Sequence, residues 1–569
     1  MINEKYNLWC QKATKDPDLI KELKELAGNE SLISDAFYKE LEFGTAGLRG
    51  VIGAGTNRMN IYTVGQASQG LAAYVNSVTK NGSVAIAYDS RIKSDVFAKC
   101  AAEIFAANGI KVYIYSELVP TPMLSFAVRR LKCDAGVVIT ASHNPAKYNG
   151  YKAYGPDGSQ LGPEAADYVL SIMQNVDIFE GIKSIDFDTA LKEGKIEYIS
   201  QGIIDEYLDN VAAQRVEKDI DFSSLNVIYT PLNGAGNKPV RAILKRIGVK
   251  NVTVVPEQEL PDGNFPTAPY PNPEIRQPFE CALKLAETVK PDILLATDPD
   301  SDRVGIAVNQ NGEYILISGN DMGVLLLNYI LERRKANGTL PKNPVAVKTI
   351  VSSELCQRIA DDYGCRLINV LTGFKFIGEQ ITLLAQKNEQ DRYVFGYEES
   401  YGYLCGDYAR DKDAVVASML ICEMTVFYKN QGKTLLDVLS DIYNKYGYFY
   451  SKQKSFTCEG QSGMEKIKEI MSNLRQNPPK EICGSKVVKV NDYGVSVSYD
   501  KIANTETPIT LPKSNVLSYF LEDSSTFIVR PSGTEPKIKT YICAVGKTHE
   551  EAEKRRDDLV AAGEKLLGL

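Results

Sequence analysis

The chain repeats one succession of predicted elements three times, and this repeat limits the folds open to it. Short apolar runs rich in β-branched residues, typical of buried strands, alternate with helical patterns. The successions begin at residues 83–88, 225–230 and 345–351, and a polar loop follows the last strand of each. Helices between strands predict largely parallel α/β sheets, whose ligands bind beyond the carboxyl ends of the strands. The alternative interpretation is three unrelated α/β units with polar loops.

The C-terminal part of the chain has a different pattern. A helix, several strand-like runs and a final helix predict a smaller α+β domain, which carries a fourth polar loop. We therefore predict α/β architecture, with three similar α/β domains built on mixed sheets and a C-terminal α+β domain. The predicted domains are 1–205, 206–318, 319–448 and 449–569.

Two helix-capping signals give local predictions. Ser94 is a candidate N-cap for the first helix of the first succession, and Gly109 is a candidate C′ residue for its end. Thr548 and Glu551 have the spacing of a capping box at the start of the last helix.

Composition excludes several classes of function. The 569 residues carry a net charge of −7, so a general nucleic-acid-binding surface is not expected. Eleven scattered cysteines without a CxxC pair favour reduced thiols over disulfides or a zinc site. We found no signal peptide and no apolar run of the ~18 residues that a membrane helix needs. The sequence predicts a cytoplasmic protein without a membrane or nucleic-acid partner.

The loop DPDSDR places three carboxylates at alternate positions. If the loop is extended, Asp298, Asp300 and Asp302 point the same way, and their oxygens suit Mg²⁺ or Ca²⁺. The loop is not an EF-hand, because Arg303 stands where that loop needs glycine. Arg303 beside such a cluster indicates an anionic partner. The alternative is a solvated acidic turn.

Two further loops offer groups for a phosphorylated sugar. RPSGTEPK supplies the Arg530 guanidinium, which can bind phosphate oxygens, together with two hydroxyls and a glycine backbone. YEES places Glu398 and Ser400 two residues apart, where a carboxylate and a hydroxyl can hold sugar hydroxyls. Taken alone, each loop is equally compatible with an ordinary polar turn.

The loop TASHNPAKYNG contains Ser142 followed by His143, one of only two histidines in the chain. The flanking residues do not match the G-x-S-x-G motif of serine hydrolases. We expect that His143, as the next residue, cannot easily turn onto Ser142 in an extended loop. Beside a divalent metal and phosphate-binding groups, the Ser142 hydroxyl could instead carry a phosphoryl group.

Together the four loops resemble those of the α-D-phosphohexomutases, in particular the branch with phosphoglucomutases and phosphopentomutase-like members. TASHNP resembles the family's phosphoserine loop, DPDSDR its magnesium loop, GYEES its sugar loop and RPSGTEPK its phosphate-binding loop. The match extends from FGTAGLRG to RPSGTEPK. It implies four domains around a central cleft, with the first three sharing one fold.

The resemblance implies an intramolecular phosphotransferase, an isomerase of glucose metabolism. Phosphorylated Ser142 would give its phosphoryl group to a sugar monophosphate and recover the other phosphate from a bisphosphate intermediate. Asp298, Asp300 and Asp302 would hold Mg²⁺ together with a Ser142 phosphate oxygen, and glucose 1,6-bisphosphate would be the activator. The chain would be a monomer or a homodimer that binds small sugar phosphates.

The resemblance also assigns residues to the catalytic and substrate-binding groups. Arg49 and Lys152 would lie near the phosphoserine, with Lys152 as an acid–base candidate whose pKa is lowered by burial near positive charge. His143 would orient the loop or contact the transferring group. The substrate-binding set is Arg303, Thr372, Gly373, Lys375, Glu398, Ser400, Arg530, Ser532, Gly533 and Thr534.

The sugar itself is left open by the sequence. Glucose 1-phosphate is the first hypothesis, with a pentose or mannose phosphate as the alternative. Some bacterial members that act on both glucose and mannose carry a histidine after the sugar loop, and YEESYGYLCGD has none. A phosphatase or serine hydrolase and a non-catalytic sugar-phosphate-binding protein are the alternatives from other classes.

Overall fold

The computed structural model describes residues 2–44, 47–458, 460–532 and 537–568, without the side chains of 460–462. The chain divides into two compact units. Unit 1 contains Met1–Ile317, Ile377–Tyr393 and Tyr401–Asn430, and unit 2 contains Ser318–Phe376, Val394–Ser400 and Gln431–Leu569. None of the helices in the described ranges has the length and apolar character needed to span a membrane.

Three short helices open unit 1 and have a core of their own. They are α1 (Ile2–Lys12), α2 (Pro17–Leu26) and α3 (Glu30–Phe37). The buried Trp9 indole makes edge-to-face contacts with Phe37, Tyr62 and Phe179, which attach these helices to the first α/β domain.

The first α/β domain is a six-stranded sheet with order β1-β5-β4-β2-β3-β6. Its strands are β1 (Gly47–Val51), β2 (Ser83–Tyr88), β3 (Lys111–Ile114), β4 (Ala135–Ile139), β5 (Tyr148–Tyr154) and β6 (Ile196–Tyr198). Its helices are α4 (Ile61–Val78), α5 (Ser94–Ala107), α6 (Thr121–Arg130), α7 (Pro163–Met173), α8 (Phe187–Lys192) and α9 (Gln201–Ala212). The central strands pair in parallel, whereas β5 is antiparallel to both β1 and β4.

The second α/β domain repeats this plan with order β11-β10-β9-β7-β8. Its strands are β7 (Asn226–Thr230), β8 (Asn251–Val254), β9 (Ile293–Thr297), β10 (Val304–Gln310) and β11 (Glu313–Ile317). Its helices are α10 (Asn237–Arg246), α11 (Pro256–Glu259) and α12 (Glu280–Val289), with a 3-10 turn at Gln277–Phe279. As in the first domain, β7 pairs in parallel with β8 and β9, and an antiparallel strand follows the polar loop.

The third succession begins in unit 2. Its elements, in chain order, are α13 (Gly319–Ala336), β12 (Val345–Thr349), α14 (Leu355–Asp362), β13 (Arg366–Val370), α15 (Phe374–Gln386), a 3-10 turn (Gln390–Arg392), β14 (Tyr393–Glu398), β15 (Gly402–Leu404), α16 (Ala414–Lys429) and α17 (Leu435–Tyr446). The fully buried β12 pairs in parallel with β13 and has β14 on its other side.

The C-terminal domain is a mainly antiparallel sheet with order β16-β23-β22-β21-β18-β19-β20, and β17 pairs with β18. Its strands are β16 (Tyr448–Thr457), β17 (Glu481–Ile482), β18 (Ser485–Asp492), β19 (Val497–Asp500), β20 (Thr505–Pro508), β21 (Leu517–Leu521), β22 (Thr526–Pro531) and β23 (Lys537–Gly546). Two helices, α18 (Gly460–Gln476) and α19 (His549–Leu567), accompany the sheet.

The capping predictions are confirmed only in part. Gly109 has the left-handed φ of 79° expected at C′, but the N-cap of α5 is Lys93, and Ser94 is the first helical residue. Ser94 instead donates its hydroxyl to Asp89. At α19, Thr548 caps the Glu551 N–H as expected, whereas the Glu551 carboxylate accepts from the Lys547 N–H one residue upstream of the N-cap.

Candidate functional site

Ser142 lies in the loop between β4 and β5, in a backbone conformation that serine seldom adopts. Its φ is 54°, in the left-handed region, and its own N–H donates to the Thr140 hydroxyl over 2.9 Å. The side chain is almost completely buried. The loop therefore turns sharply at the serine, where the sequence suggested an extended course.

The buried guanidinium of Arg91 holds this loop from outside. It donates to four backbone carbonyl oxygens between residues 142 and 148, at 3.1 Å for Pro145 and 3.0 Å for Tyr148. The four acceptors are the carbonyl oxygens of Ser142, Asn144, Pro145 and Tyr148. Arg91 is in turn paired with the buried Asp89 carboxylate at 3.3 Å and lies over the Phe265 ring. A planar group with five donors is suited to fixing several carbonyls at once.

The loop from Asp298 to Arg303 holds its own shape. Asp298 Oδ1 accepts from the backbone N–H groups of Asp302 and Arg303, at 3.1 and 3.0 Å. Ser301 has a left-handed φ of 49°, and its N–H donates to the Asp298 carbonyl. The extended geometry predicted for this loop is therefore wrong, since a tight turn takes its place. An Asp side chain that binds backbone two to five residues onward is the usual device for such turns.

The three carboxylates nevertheless converge. Asp298, Asp300 and Asp302 are fully buried, and each offers an oxygen within 4.8 Å of the others. Asp298 Oδ2 accepts the Ser142 hydroxyl over 3.0 Å. Oδ1 of both Asp300 and Asp302 is buried with no hydrogen-bond partner among the described residues. Buried, partly unsatisfied oxygens of this kind suit a divalent cation with hard oxygen ligands.

Burial and the charges of their neighbours shift the pKa values of these carboxylates. Burial, together with the charges of Asp300 and Asp302, raises the pKa of Asp298 well above its usual value. Burial also acts on Asp300, but the neighbouring Lys152 ammonium outweighs it and lowers the pKa of Asp300. Three buried carboxylates therefore depend on nearby cations for their charge.

Two lysines supply that positive charge. Lys152 Nζ, from β5, donates to Asp300 at 2.8 Å and lies 3.5 Å from Asp302, while Lys412 Nζ lies 3.2 Å from Asp302. Burial lowers the pKa of Lys152, but Asp300 and Asp302 more than compensate, so its pKa is raised. The predicted lowering of the Lys152 pKa is therefore wrong for this structure, because the carboxylates dominate.

His143 lies between the serine and an arginine. Its Nδ1 is 3.4 Å from Ser142 Oγ, a proximity that the left-handed turn makes possible and that we expected the loop to prevent. The same ring contacts the Arg303 guanidinium. Burial, and then the charges of Arg303 and Arg49, place the pKa of His143 well below its usual value. Arg49 itself is exposed on β1, opposite Gly150 of β5.

The predicted sugar-binding residues lie in unit 2. Glu398 is buried as the last residue of β14, so the loop expected from Tyr397 begins two residues later, and Ser400 is half-buried beyond it. The neighbouring Glu399 accepts the Thr349 hydroxyl at 2.9 Å. The other predicted group consists of Thr372 and Gly373, which lie between β13 and α15, and Lys375, in the first turn of α15. All three are half-buried, and Gly373 has a φ of 116° that favours glycine.

The predicted phosphate-binding loop is described only at its two ends. Arg530 and Ser532 are half-buried, and the Ser532 N–H donates to the Lys537 carbonyl at 2.8 Å, while Gly533 and Thr534 lie outside the described residues. Arg530 Nη1 donates to the Tyr541 hydroxyl over 3.4 Å. Burial raises the pKa of Tyr541 to about 12, with Glu399 and Glu398 acting in the same direction and Arg530 against it. The charges of Arg530 and the two glutamates therefore act on the same tyrosine.

Comparison with known proteins finds family models and relatives that match most of the chain. Models of the phosphoglucomutase/phosphomannomutase α/β/α domains I, II and III match residues 40–178, 205–312 and 318–446. The phosphoglucomutase of Staphylococcus haemolyticus is 39% identical over 512 residues, which cover 89% of this chain and 90% of that protein. A phosphoglucomutase of Staphylococcus aureus is 36% identical over 557 residues, or 97% of this chain and 98% of the relative.

The chain belongs to the phosphoglucomutase/phosphomannomutase family. Solved structures of the same family have its fold. A Paramecium phosphoglucomutase, parafusin, matches with a TM-score of 0.68 at 17% identity and covers 93% of this chain and 96% of its own. A family protein of Burkholderia thailandensis matches with a TM-score of 0.66 at 17% identity, covering 92% and 97%.

Family membership confirms the main predictions from the sequence. The resemblance to the phosphohexomutases is confirmed, as is the fold class of three α/β domains with mixed sheets followed by a C-terminal β-rich domain. The protein is an enzyme, an isomerase that transfers a phosphoryl group, and its triple-aspartate cluster fits a divalent metal.

Sequence reasoning missed three residues at this phosphohexomutase site. Arg91 holds the Ser142 loop, Lys412 lies next to Asp302, and Asp411 pairs with Lys412. Arg91 lies three residues after β2, in YDSR, and this position beyond a strand end was the available signal. Lys412 lies in RDKD, a charged stretch shortly after YEESYGYLCGD.

Proposed function

We propose that this phosphohexomutase interconverts glucose 1-phosphate and glucose 6-phosphate in the cytoplasm, through a phosphoserine at position 142. The support for glucose is the set of relatives named phosphoglucomutase, which match nearly the whole chain. Glucose 1,6-bisphosphate is the proposed intermediate and activator.

One observation carries the mechanism, the hydrogen bond from Ser142 Oγ to Asp298 Oδ2 at 3.0 Å. It joins the serine directly to a cluster of three carboxylates, in which Oδ1 of Asp300 and Oδ1 of Asp302 have no hydrogen-bond partner among the described residues. We propose that Asp298, Asp300 and Asp302 hold Mg²⁺. When bound, the ion neutralises charge on the transferring phosphoryl group.

The transfer exchanges one P–O bond for another. A hydroxyl of the sugar monophosphate attacks phosphoserine 142, so a new sugar P–O bond forms and the bond to Ser142 Oγ breaks. The proton of the sugar hydroxyl ends on Ser142 Oγ, and we propose that Lys152 relays it. The reverse transfer from the other phosphate of the bisphosphate restores the phosphoserine.

Positive groups surround the serine where the phosphoryl group would be. The Arg303 guanidinium contacts His143 beside Ser142, and Arg49 lies on the strand next to Lys152. Arg303 and Arg49 would stabilise negative charge during transfer, and His143, neutral at physiological pH, would orient the loop.

Substrate recognition is assigned to unit 2. We propose that Glu398 and Ser400 bind sugar hydroxyls and that Arg530, Ser532, Gly533 and Thr534 bind the phosphate that does not react. Thr372, Gly373 and Lys375 are proposed to distinguish the two orientations of the sugar. We leave the choice between monomer and homodimer to measurement.

The test is steady-state kcat/KM on glucose 1-phosphate, mannose 1-phosphate and ribose 1-phosphate, each with Mg²⁺ and the matching bisphosphate. We expect glucose 1-phosphate to be preferred, and S142A to lose at least about 1,000-fold in kcat because the phosphoryl acceptor is removed. A preference for ribose or mannose would change the substrate but not the mechanism. An S142A variant with full activity would refute the phosphoserine mechanism, and phosphate release to water would indicate a phosphatase.

A further inference from the structure

Strand β5 presents two side chains to the same face of the sheet, and they reach different parts of unit 1. Lys152 and Tyr154 are two residues apart on the strand, and they pair with Val138 and Gly136 of β4. Lys152 contacts the carboxylates of Asp300 and Asp302 directly. Tyr154 contacts Asp411, in the segment between β15 and α16.

A continuous chain of contacts leads from Tyr154 to the carboxylate cluster. The Tyr154 hydroxyl donates to Asp411 Oδ2 at 2.6 Å, and Asp411 Oδ1 accepts from Lys412 through both its backbone N–H, at 2.8 Å, and its Nζ, at 3.2 Å. Lys412 Nζ lies 3.2 Å from Asp302 Oδ2. All four side chains are nearly or fully buried, so they exchange few partners with water.

We propose that Tyr154 is a positioning residue that fixes the Asp411 carboxylate and thereby holds the Lys412 ammonium at the aspartate cluster. This inference rests on the proposed function, in which the cluster binds Mg²⁺ next to the serine. A flexible lysine with its four-carbon stem is placed accurately only when its partner is itself fixed. The tyrosine supplies that restraint without touching the cluster.

The chain offers a matched control. Tyr207, also fully buried, donates its hydroxyl to Asp413 Oδ2 at 2.8 Å, two residues after Asp411. Asp413 caps α16 and also binds the Tyr408 hydroxyl, so this second pair stabilises the same segment. Asp413 is not in the chain of contacts that leads to Lys412. Y154F and Y207F therefore remove the same chemical group at similar burial, but only Y154F disturbs the lysine.

The kinetic test compares the two variants on glucose 1-phosphate with Mg²⁺ and the bisphosphate. We expect Y154F to lose about 10- to 100-fold in kcat through misplacement of Lys412, with KM changed by less than about threefold. Y207F should keep kcat within about twofold of the wild type. In a K412M background, Y154F should have little further effect, because its target is already absent. Equal kcat losses in Y154F and Y207F, or full additivity with K412M, would overturn the proposal.

A second measurement is independent of activity. Acetylation of lysines in the intact metal-free protein, followed by mass spectrometry, reports how accessible each ammonium is. We expect Lys412 to be modified faster in Y154F than in the wild type or Y207F, with Lys152 unchanged. If Lys412 is labelled at the same rate in Y154F and in the wild type, the positioning role is refuted, whichever sugar the enzyme acts on. Faster labelling with a wild type inactive on all three sugars would instead refute only the proposed function.

Discussion

Two loops of unit 1 have the same place in their domains and are held in opposite ways. The Ser142 loop follows β4, the Asp298 loop follows β9, and each turns at a serine with left-handed φ, 54° at Ser142 and 49° at Ser301. The Asp298 carboxylate binds the backbone of its own loop. The Ser142 loop depends on Arg91, which lies about fifty residues earlier in the chain and donates to four of its carbonyls.

The two ways of holding a loop suit the different roles proposed for the carboxylates and for Ser142. A loop that folds on itself can hold three carboxylates together although they repel one another. A loop held from outside through its carbonyl oxygens does not need the reactive hydroxyl to keep its shape. The first kind should tolerate the loss of distant residues, and the second should not.

The largest effect is expected from R91M. Removal of Arg91 leaves the buried Asp89 charge without its partner and frees four carbonyls of the Ser142 loop. We expect a loss of about 3–5 kcal/mol in the free energy of unfolding, measured in urea, and a loss of at least about 100-fold in kcat.

The double variant D89N/R91M separates stability from positioning. Without the unpaired charge, we expect most of the lost stability to return while kcat stays low. Recovery of activity together with stability would show that Arg91 does not act on the loop.

D298N should affect the self-supported loop differently from D300N. Asn keeps an oxygen for the Asp302 and Arg303 N–H groups and removes one repelling charge. We therefore expect metal-free D298N to be more stable than the wild type by about 1–2 kcal/mol while losing activity. D300N removes the partner of Lys152, and we expect it to be less stable. Thermal unfolding after chelation gives both values, and destabilisation by both variants would contradict this account.

The buried His143 should make the free energy of unfolding depend on pH, and this dependence reports on the Ser142 loop. Because its folded pKa lies well below its unfolded value of about 6.5, the unfolded state binds the proton first as the pH falls. Stability from this group is complete above about pH 6.5 and is lost below it, by about 1 kcal/mol at pH 5.5. Urea unfolding at pH 7.5 and 5.5 should show this loss in the wild type and not in H143Q. An equal loss in both would contradict the prediction.

The smallest effect is expected from S301G. Glycine accepts the left-handed φ of position 301 and removes a hydroxyl that is buried without a partner among the described residues. The relief of backbone strain and the loss of a buried unpaired hydroxyl offset the greater entropy that glycine gives the unfolded chain. We therefore expect the free energy of unfolding to stay within about 1 kcal/mol of the wild type. Activity should stay within about threefold. A tenfold loss of kcat would indicate that the Ser301 hydroxyl takes part in the reaction.

The sequence predicted those features that depend on local order. The strands around residues 83–88, 226–230 and 345–349 have the expected apolar, β-branched character, and the loops after β4 and β9 lie at the predicted strand ends. The convergence of Asp298, Asp300 and Asp302 was also predicted, although a turn and not an extended loop produces it.

The missed features all depend on contacts between distant parts of the chain. Tyr154 and Asp411 are 257 positions apart, and no spacing rule joins them. The Lys152 pKa was predicted in the wrong direction for a similar reason, because local reading counted neighbouring cations and not the carboxylates brought from the second domain. The roles assigned to Thr372, Lys375 and Arg530 stay predictions.

The two-residue spacing of Lys152 and Tyr154 on β5 also limits how this family member can be redesigned. A single-residue deletion in β5 before Lys152 would turn both side chains to the opposite face, because strand geometry repeats every two residues. The loop before β5 carries Ser142 and carbonyl oxygens that Arg91 binds, so loop and strand must be inherited together.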